Sequence, residues 1–123
     1  MIAIDSSAVA RYLAELRDEA SVAAGDALDE RLAVFPPVVL TELLSNPYIA
    51  PAAADLVRSV PLLDILPGYW ERAAGLRADV KRRGFKAEVA DCLIAQSCLD
   101  HDIPLITYDL DFRHFVRAGL KLL

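Results

Sequence analysis

Four carboxylate side chains in this sequence lie among apolar residues, where isolated charges are uncommon. A buried carboxylate is rarely left unpaired, because removing an ionised group from water is costly unless a partner compensates its charge. What such acids can do depends on whether the fold brings them together. The four residues are Asp5, Glu42, Asp91 and Asp109.

Asp91 is the most informative of the four. The positions one turn before it and one and two turns after it on a predicted helix are all apolar, so it interrupts a buried stripe. These positions are Ala87, Ile94, Ala95 and Cys98. The alternative to a functional role is a salt bridge to an arginine of a neighbouring helix. Glu88, one turn earlier, is either a fifth acid or a first-turn charge favoured by the helix dipole.

The other three acids also have ordinary structural alternatives. Asp5 ends the apolar segment Met1–Ile4 and could cap a following helix, a role that is compatible with binding a cation through its second oxygen. Glu42 could be an exposed helix residue, although apolar residues surround it. Asp109 and the nearby Asp111 are also favourable turn and cap residues.

The four acids acquire a chemical meaning if they meet at one site. Two unit charges 5 Å apart repel by roughly 3 kcal/mol at an effective dielectric constant near 20, and four acids form six such pairs. Either some pKa values rise, or hard divalent cations bind. Oxygen ligands without paired His or Cys favour Mg²⁺ or Mn²⁺ over zinc, and such ions promote phosphodiester hydrolysis. The acids therefore predict a nuclease.

Strand and helix patterns alternate along the chain, which predicts an α/β fold with a mostly parallel sheet covered on both faces. In such a sheet the carboxyl ends of the strands share one edge, where ligands bind, and both Asp5 and Asp109 fall there. Predicted strands cover Met1–Ile4, Leu32–Phe35, Pro61–Leu66 and Pro104–Thr107, with a further edge strand at Leu120–Leu123. Predicted helices begin at Asp5, cover Ser21–Arg31, carry Glu42, and cover Ala53–Arg58, Tyr69–Arg83, Ala87–Asp100 and Asp111–Val116.

Length and composition indicate one ordered domain over residues 1–123. The chain has 123 residues, of which 55% are hydrophobic, enough for one compact core. No signal peptide or membrane-spanning run is evident, so we expect a soluble cytoplasmic protein. Cys92 and Cys98 point to different faces of one predicted helix and are expected to be buried free thiols, not a disulfide or a zinc pair.

The net charge of −5 argues against a nucleic-acid partner, but the distribution of charge qualifies it. A basic run, Lys81–Lys86, precedes the helix of Asp91, and Arg113, His114 and Arg117 follow Asp109. If the acids bind metal, a basic rim remains around them. The alternative is that the run is a solvated helix end.

Four short blocks, in this order and spacing, resemble those of the PIN-domain family, and more narrowly the VapC-type toxin ribonucleases of type II toxin–antitoxin systems. The resemblance spans nearly the whole chain. The blocks are Met1-Ile2-Ala3-Ile4-Asp5-Ser6-Ser7, Pro37-Val38-Val39-Leu40-Thr41-Glu42-Leu43-Leu44, Ala90-Asp91-Cys92-Leu93-Ile94-Ala95 and Leu105-Ile106-Thr107-Tyr108-Asp109-Leu110-Asp111-Phe112.

This resemblance implies a three-layer α/β/α sandwich with a central parallel sheet, here of four or five strands, and a Mg²⁺- or Mn²⁺-dependent endoribonuclease. It also implies an RNA substrate, a homodimer, and inhibition by a small antitoxin. Asp5, Glu42, Asp91 and Asp109 would be the catalytic, metal-binding acids, and the hydroxyls of Thr107 and Ser6 would orient neighbouring groups. Glu88 and Asp111 are candidate supporting acids.

Two other functions fit parts of the sequence. One is a catalytically weak PIN-fold module that binds RNA or protein, which the acidic balance favours. The other is a receiver-type signalling domain, because Asp64-Ile65-Leu66-Pro67 resembles a phospho-acceptor turn. In comparison with the receiver pattern, Pro67 lies one residue too early, and the lysine expected after the strand that ends at Thr107 is absent. Tyr108 and Leu110 stand where many relatives of the PIN family have basic residues. Tyr108 either stacks on a base or packs beside the strand.

Overall fold

The fold is described from a computed structural model that covers residues 1–123. Its centre is a three-stranded, fully parallel sheet with the strand order β2-β1-β3. The central strand β1 places Ala3 opposite Val34 on one side and Leu105 on the other. The strands are β1 (Ile2–Ile4), β2 (Ala33–Val34) and β3 (Leu105–Ile106).

Six α-helices and one 3-10 helix surround this sheet, and each predicted helix occurs at its expected place with ends shifted by a few residues. The helix ends could be predicted because proline and glycine mark them. Pro37 and Pro51 occupy first-turn positions of their helices, and Gly84, with a φ of 88°, follows the end of a third helix. The helices are α1 (Ser6–Leu13), α2 (Glu19–Asp29), α3 (Pro37–Leu44), α4 (Pro51–Ser59), α5 (Tyr69–Arg82), α6 (Val89–His101) and the 3-10 helix (Leu110–Ala118).

The expected four or five strands are not formed, and this part of the prediction is wrong. The predicted strand Pro61–Leu66 makes one parallel bridge, between Leu62 and Phe35, and the predicted strand Leu120–Leu123 makes one, between Leu122 and Leu105. The pairing of Phe35 with Leu62 does not extend into a strand, because Phe35 is followed by Pro36-Pro37 and prolines have no amide hydrogen to donate to a neighbouring strand. The sheet is therefore narrower than predicted, but α/β and parallel as expected.

One buried apolar cluster joins the sheet to the helices. It contains 26 residues, and its largest fully buried side chains include Phe35, Phe112 and Phe115. Within the helical layers, α1 packs on α2 and α5 packs on α6. None of the helices combines the length and the apolar character needed to cross a lipid bilayer.

The parallel topology brings the candidate acids of the sequence to one edge of the sheet. Asp5 follows the carboxyl end of β1, Asp109 follows that of β3, and α3, which carries Glu42, follows β2. Helix α6 runs back toward the start of β3, so its first turn, which contains Asp91, lies at the same edge. Four separate segments thus direct acids toward one region.

Candidate metal centre

Asp5 is the buried centre of this region, with 3% of its surface exposed. Its backbone amide donates to the carbonyl of Ile106 at 2.9 Å, which fixes its position at the end of β1. Its Oδ2 accepts hydrogen bonds from the hydroxyls of Ser7 at 2.6 Å and Thr107 at 2.8 Å. The side chain accepts no backbone amide of α1, so the predicted capping role of Asp5 is not realised.

Thr107 links Asp5 to Asp109. Its hydroxyl donates to Asp5 and accepts a 3.0 Å hydrogen bond from the backbone amide of Asp109. Oδ1 of Asp109 in turn accepts the amide of Asp111 at 2.9 Å, which caps the 3-10 helix. Asp109 therefore does cap a helix, as its alternative reading predicted, while its other carboxylate oxygen makes no hydrogen bond within the chain.

Glu42 reaches the site from α3. The hydroxyl of Ser6 donates to its Oε1 at 3.1 Å and lies 3.4 Å from Oδ1 of Asp5. A hydroxyl has one proton, so the shorter contact to Glu42 is the stronger candidate for the hydrogen bond. Burial raises the pKa of Glu42, Ser6 opposes that rise, and the charges of Asp5 and Glu88 add to it. The residue as a whole is exposed, contrary to the expectation from its apolar neighbours.

Asp91 carries the largest electrostatic perturbation among the acids. Its half-buried carboxyl has a pKa raised to about 7. Loss of hydration is the main cause, followed by repulsion from Asp109, Asp5, Glu88 and Glu42. These four acids are thus close enough to Asp91 for each to disfavour its ionisation.

All four predicted acids line one cavity of about 670 Å³, together with both supporting acids, Glu88 and Asp111. We call it the acid cavity. Ser6 also lines it. Thr107 does not line it, but its hydroxyl forms hydrogen bonds with Asp5 and Asp109, which do. Six ion pairs occur in the chain, and none includes Asp5, Glu42, Asp91 or Asp109. The alternative in which an arginine neutralises Asp91 is therefore wrong.

The donors in this cavity fit a hard divalent cation. Six of its lining residues carry carboxylates and none is His or Cys, and that donor set suits Mg²⁺ or Mn²⁺. The side chains occupy the walls without converging on one point, and no group of three or more His, Cys, Asp or Glu residues is arranged so that it could hold a metal ion. The residues fit such an ion by chemistry and charge, and the arrangement is an open, acid-lined cavity, not a closed cage.

A comparison with protein families decides what kind of domain this is. The profile described as PIN domain matches residues 2–118. The chain belongs to the PIN-domain family. PIN domains are typically nucleases and generally depend on a metal ion, which agrees with an acid cavity at the carboxyl edge of a parallel sheet. No curated protein matches the chain.

The position of Asp64 in this PIN domain does not support the receiver-type alternative. Asp64, its supposed phospho-acceptor, is exposed on the connection between α4 and α5, where its carbonyl lies 2.9 Å from Nε2 of His101. It does not line the acid cavity. Asp64 is therefore separate from the group of acids that lines this cavity.

Sequence reasoning missed the part played by Ser7. Its hydroxyl donates to Asp5, accepts the backbone amide of Tyr108 at 3.1 Å, and lies 3.3 Å from the hydroxyl of Thr107. These contacts join α1 to the segment after β3, 100 residues later. The only signal in the sequence was its place two residues after Asp5. Asn46 and Tyr48, after α3, also line the cavity of this PIN domain without having been predicted.

Two other predictions concern residues beside the cavity. Tyr108 is half exposed, and the guanidinium of Arg11 lies 3.7 Å from the centre of its ring. One ring face therefore packs on an arginine that is itself paired with Asp18 at 2.6 Å. Cys92 and Cys98 are buried free thiols, as predicted, and burial raises their pKa values to about 11 and about 12. They remain protonated and take no part in the site.

Proposed function

We propose that this PIN domain is a Mg²⁺- or Mn²⁺-dependent endoribonuclease. One observation carries the proposal: six carboxylates line a single cavity, none of the four central ones is paired with a cationic side chain, and Asp91 has a pKa raised to about 7. Such a group of acids is destabilised by its own charge, and a divalent cation is the partner that relieves it. Membership of a family of metal-dependent nucleases supports the same conclusion.

Each residue of the site has a role in this proposal. Asp5, Glu42, Asp91 and Asp109 would hold the ion, which supplies the positive charge that polarises a phosphodiester and activates water. The hydroxyls of Thr107 and Ser7 keep Asp5 in place, and that of Ser6 orients Glu42. Glu88 and Asp111 border the cavity and add negative charge. A cation bound here would take the place of the proton on Asp91, whose pKa lies near neutrality.

The proposed activity has a direct test. Purified protein is incubated with total RNA in Mn²⁺, in Mg²⁺ or in EDTA, beside Asp91→Asn and the control Glu71→Gln, which changes an exposed acid outside the cavity. We expect cleavage only with metal, its loss in Asp91→Asn, and no change in the control. Cleavage that persists unchanged in Asp91→Asn, or in EDTA, would refute the proposal.

We also propose that the chain is the toxin of a toxin–antitoxin pair, as the VapC-type resemblance implies. A second groove of about 830 Å³ lies between α1, α2 and α4, and eight of its 14 lining residues are hydrophobic. Leu13, Ala50 and Ala53 line both this groove and the acid cavity. A single bound segment of an antitoxin would therefore occupy the groove and reach the cavity. The test is whether a short gene beside this one encodes a protein that co-purifies with the chain and stops RNA cleavage.

A homodimer is part of the same proposal. Trp70 and Val89 are exposed apolar residues, and both line a groove of about 390 Å³ between α5 and α6. Association of two copies would remove such apolar area from water. Sedimentation of the wild type and of Trp70→Ser tests this proposal. A monomeric wild type at micromolar concentration would refute it.

A second candidate function is a catalytically weak module that binds RNA or protein. It is favoured by the acids remaining on the cavity walls without forming a group that could hold a metal ion, and by the net charge of −5. This candidate predicts binding without metal-dependent cleavage. The cleavage assay therefore separates the two functions.

A further inference from the structure

Six of the 13 Lys and Arg residues fall in two short stretches, residues 81–86 and 113–117, that contain no acids. The first stretch joins α5 to α6, and the second lies in the 3-10 helix. They are about 30 residues apart in sequence. Whether they act together depends on whether the fold joins them, and the structure shows two contacts that do so.

The first contact is a hydrogen bond from Nη2 of Arg83 to the carbonyl of His114, at 2.7 Å. The second is a stack between the rings of Phe85 and His114, whose centres are 4.1 Å apart and whose planes differ by 18°. Arg83 is mostly buried and also pairs with Asp79 at 3.5 Å. It therefore connects the two stretches and offers little free charge to a ligand. These contacts bring Lys86, which follows Phe85, close to Arg113, which precedes His114.

We define the basic surface as the exposed residues Lys86, Arg113 and Arg117, which lie around the Phe85–His114 stack. None of these three cations belongs to an ion pair within the chain. Phe85 is also substantially exposed, so the surface combines unpaired positive charge with an aromatic ring. This combination suits a single-stranded nucleic acid, whose phosphates bind cations and whose bases stack on rings.

The basic surface reaches the acid cavity at both of its ends. Lys86 is two residues from Glu88, which lines the cavity, so at most about 7 Å of extended chain separates their Cα atoms. In a 3-10 helix residues three apart lie above one another at about 6 Å, which puts Asp111, His114 and Arg117 in one row. That row runs from the cavity wall, through the aromatic stack, to an unpaired arginine.

We propose that the basic surface is the docking site for the phosphate backbone of RNA, and that it guides a strand into the acid cavity. This proposal rests on the proposed nuclease function and names the surface that the substrate uses. It explains how a chain of net charge −5, with six acids lining its site, can bind a polyanion: three unpaired cations lie together on a surface beside that cavity. Binding through phosphates carries little sequence preference.

The test measures the salt dependence of binding to two probes, a 20-residue poly(U) strand and unfractionated tRNA. The parent is Asp91→Asn, so that no probe is cut, and the variants add Lys86→Gln, Arg117→Gln or both. Arg31→Gln is the matched control, because Arg31 is exposed, has no ion pair, and precedes β2 at the opposite edge of the sheet. Thermal melting checks that each variant is folded.

Each lost phosphate contact reduces the slope of log K against log salt by roughly 1, so the double variant should lose about 2 units of slope. Between 50 and 200 mM salt its affinity deficit relative to the parent should then shrink by about 16-fold. The control should match the parent. The proposal would be overturned by a double variant that keeps the parent's slope, or by a control whose slope falls as much as that of the double variant. Binding of a poly-glutamate peptide in place of RNA would also overturn it.

The outcome is independent of whether the wild type cleaves RNA. Metal-dependent cleavage with an unchanged slope in the double variant would reject the basic surface alone. A reduced slope together with a wild type that cuts no RNA would support the basic surface and reject the nuclease. The two proposals can therefore fail separately.

Discussion

The hydroxyl of Thr107 donates a 2.8 Å hydrogen bond to Oδ2 of Asp5, across two neighbouring parallel strands. The same hydroxyl accepts the amide of Asp109, so a single side chain sets the position of two of the four acids. A buried carboxylate needs such donors, since 3% exposure leaves almost no access to water. The geometry of the acid cavity thus depends on a residue that does not line it.

Replacement of Thr107 by Val keeps the shape of the side chain and removes both hydrogen bonds. We expect the free energy of unfolding to fall by about 2 kcal/mol, since the lost bond is to a buried carboxylate. Cleavage should fall by about tenfold, the lower end for loss of a group that orients a metal ligand. Urea unfolding and initial cleavage rates measure the two effects, and Thr107→Ser, which keeps the hydroxyl, should restore both.

The hydroxyl of Ser7 should also contribute to stability, because it donates to Asp5 and accepts the amide of Tyr108. We expect Ser7→Ala to lower the free energy of unfolding by about 1 kcal/mol. Ser59→Ala is the matched control, since the Ser59 hydroxyl bonds only an exposed carbonyl of its own helix, and it should change stability by less than about 0.5 kcal/mol. Equal losses in the two variants would argue against a special role for Ser7.

The helices and the main acids could be predicted from the sequence because their signals are local. Proline and glycine mark helix ends, and Asp91 stands out because its neighbours at helical spacing are apolar. The extent of the sheet was not predictable in this way. Whether Leu62 or Leu122 extends into a ladder depends on partners far along the chain, and each makes only one bridge.

The missed parts of the site have the same cause. Ser7 lies two residues from Asp5, but its importance comes from Thr107 and Tyr108, which only the folded chain brings near. Glu42 has apolar neighbours in sequence yet is exposed, because α3 buries Val39 and Leu43 and turns Glu42 toward the cavity. Local pattern identified the acids, whereas their burial and hydrogen bonds required the tertiary structure.

Asp91 should make the stability of the metal-free protein depend on pH. Its pKa is raised from 3.8 to about 7 on folding, so the folded state binds more protons than the unfolded state between these values. The free energy of unfolding should therefore fall as pH rises from about 4 to 7, and then level off. The full shift corresponds to about 4 kcal/mol, which is an upper limit because solvent screens a half-buried group.

Asp91→Asn removes this ionisation. We expect the variant to be more stable than the wild type at pH 8 in EDTA, with a flatter dependence on pH, because the neutral amide is not repelled by the other acids. Urea unfolding at several pH values measures the difference. Glu71→Gln controls for loss of one negative charge elsewhere. A variant less stable than the wild type at pH 8 without metal would contradict the electrostatic account.

Divalent cations should stabilise the folded protein, since only the folded chain gathers the acids around one cavity. With 10 mM Mg²⁺ and a Kd of about 1 mM, the gain is about 1.4 kcal/mol, or ~5 °C in Tm for a domain of this size. Differential scanning fluorimetry in EDTA and in Mg²⁺ measures the shift. Asp91→Asn should reduce it, Glu71→Gln should keep it, and equal shifts in both variants would show that the ion binds elsewhere.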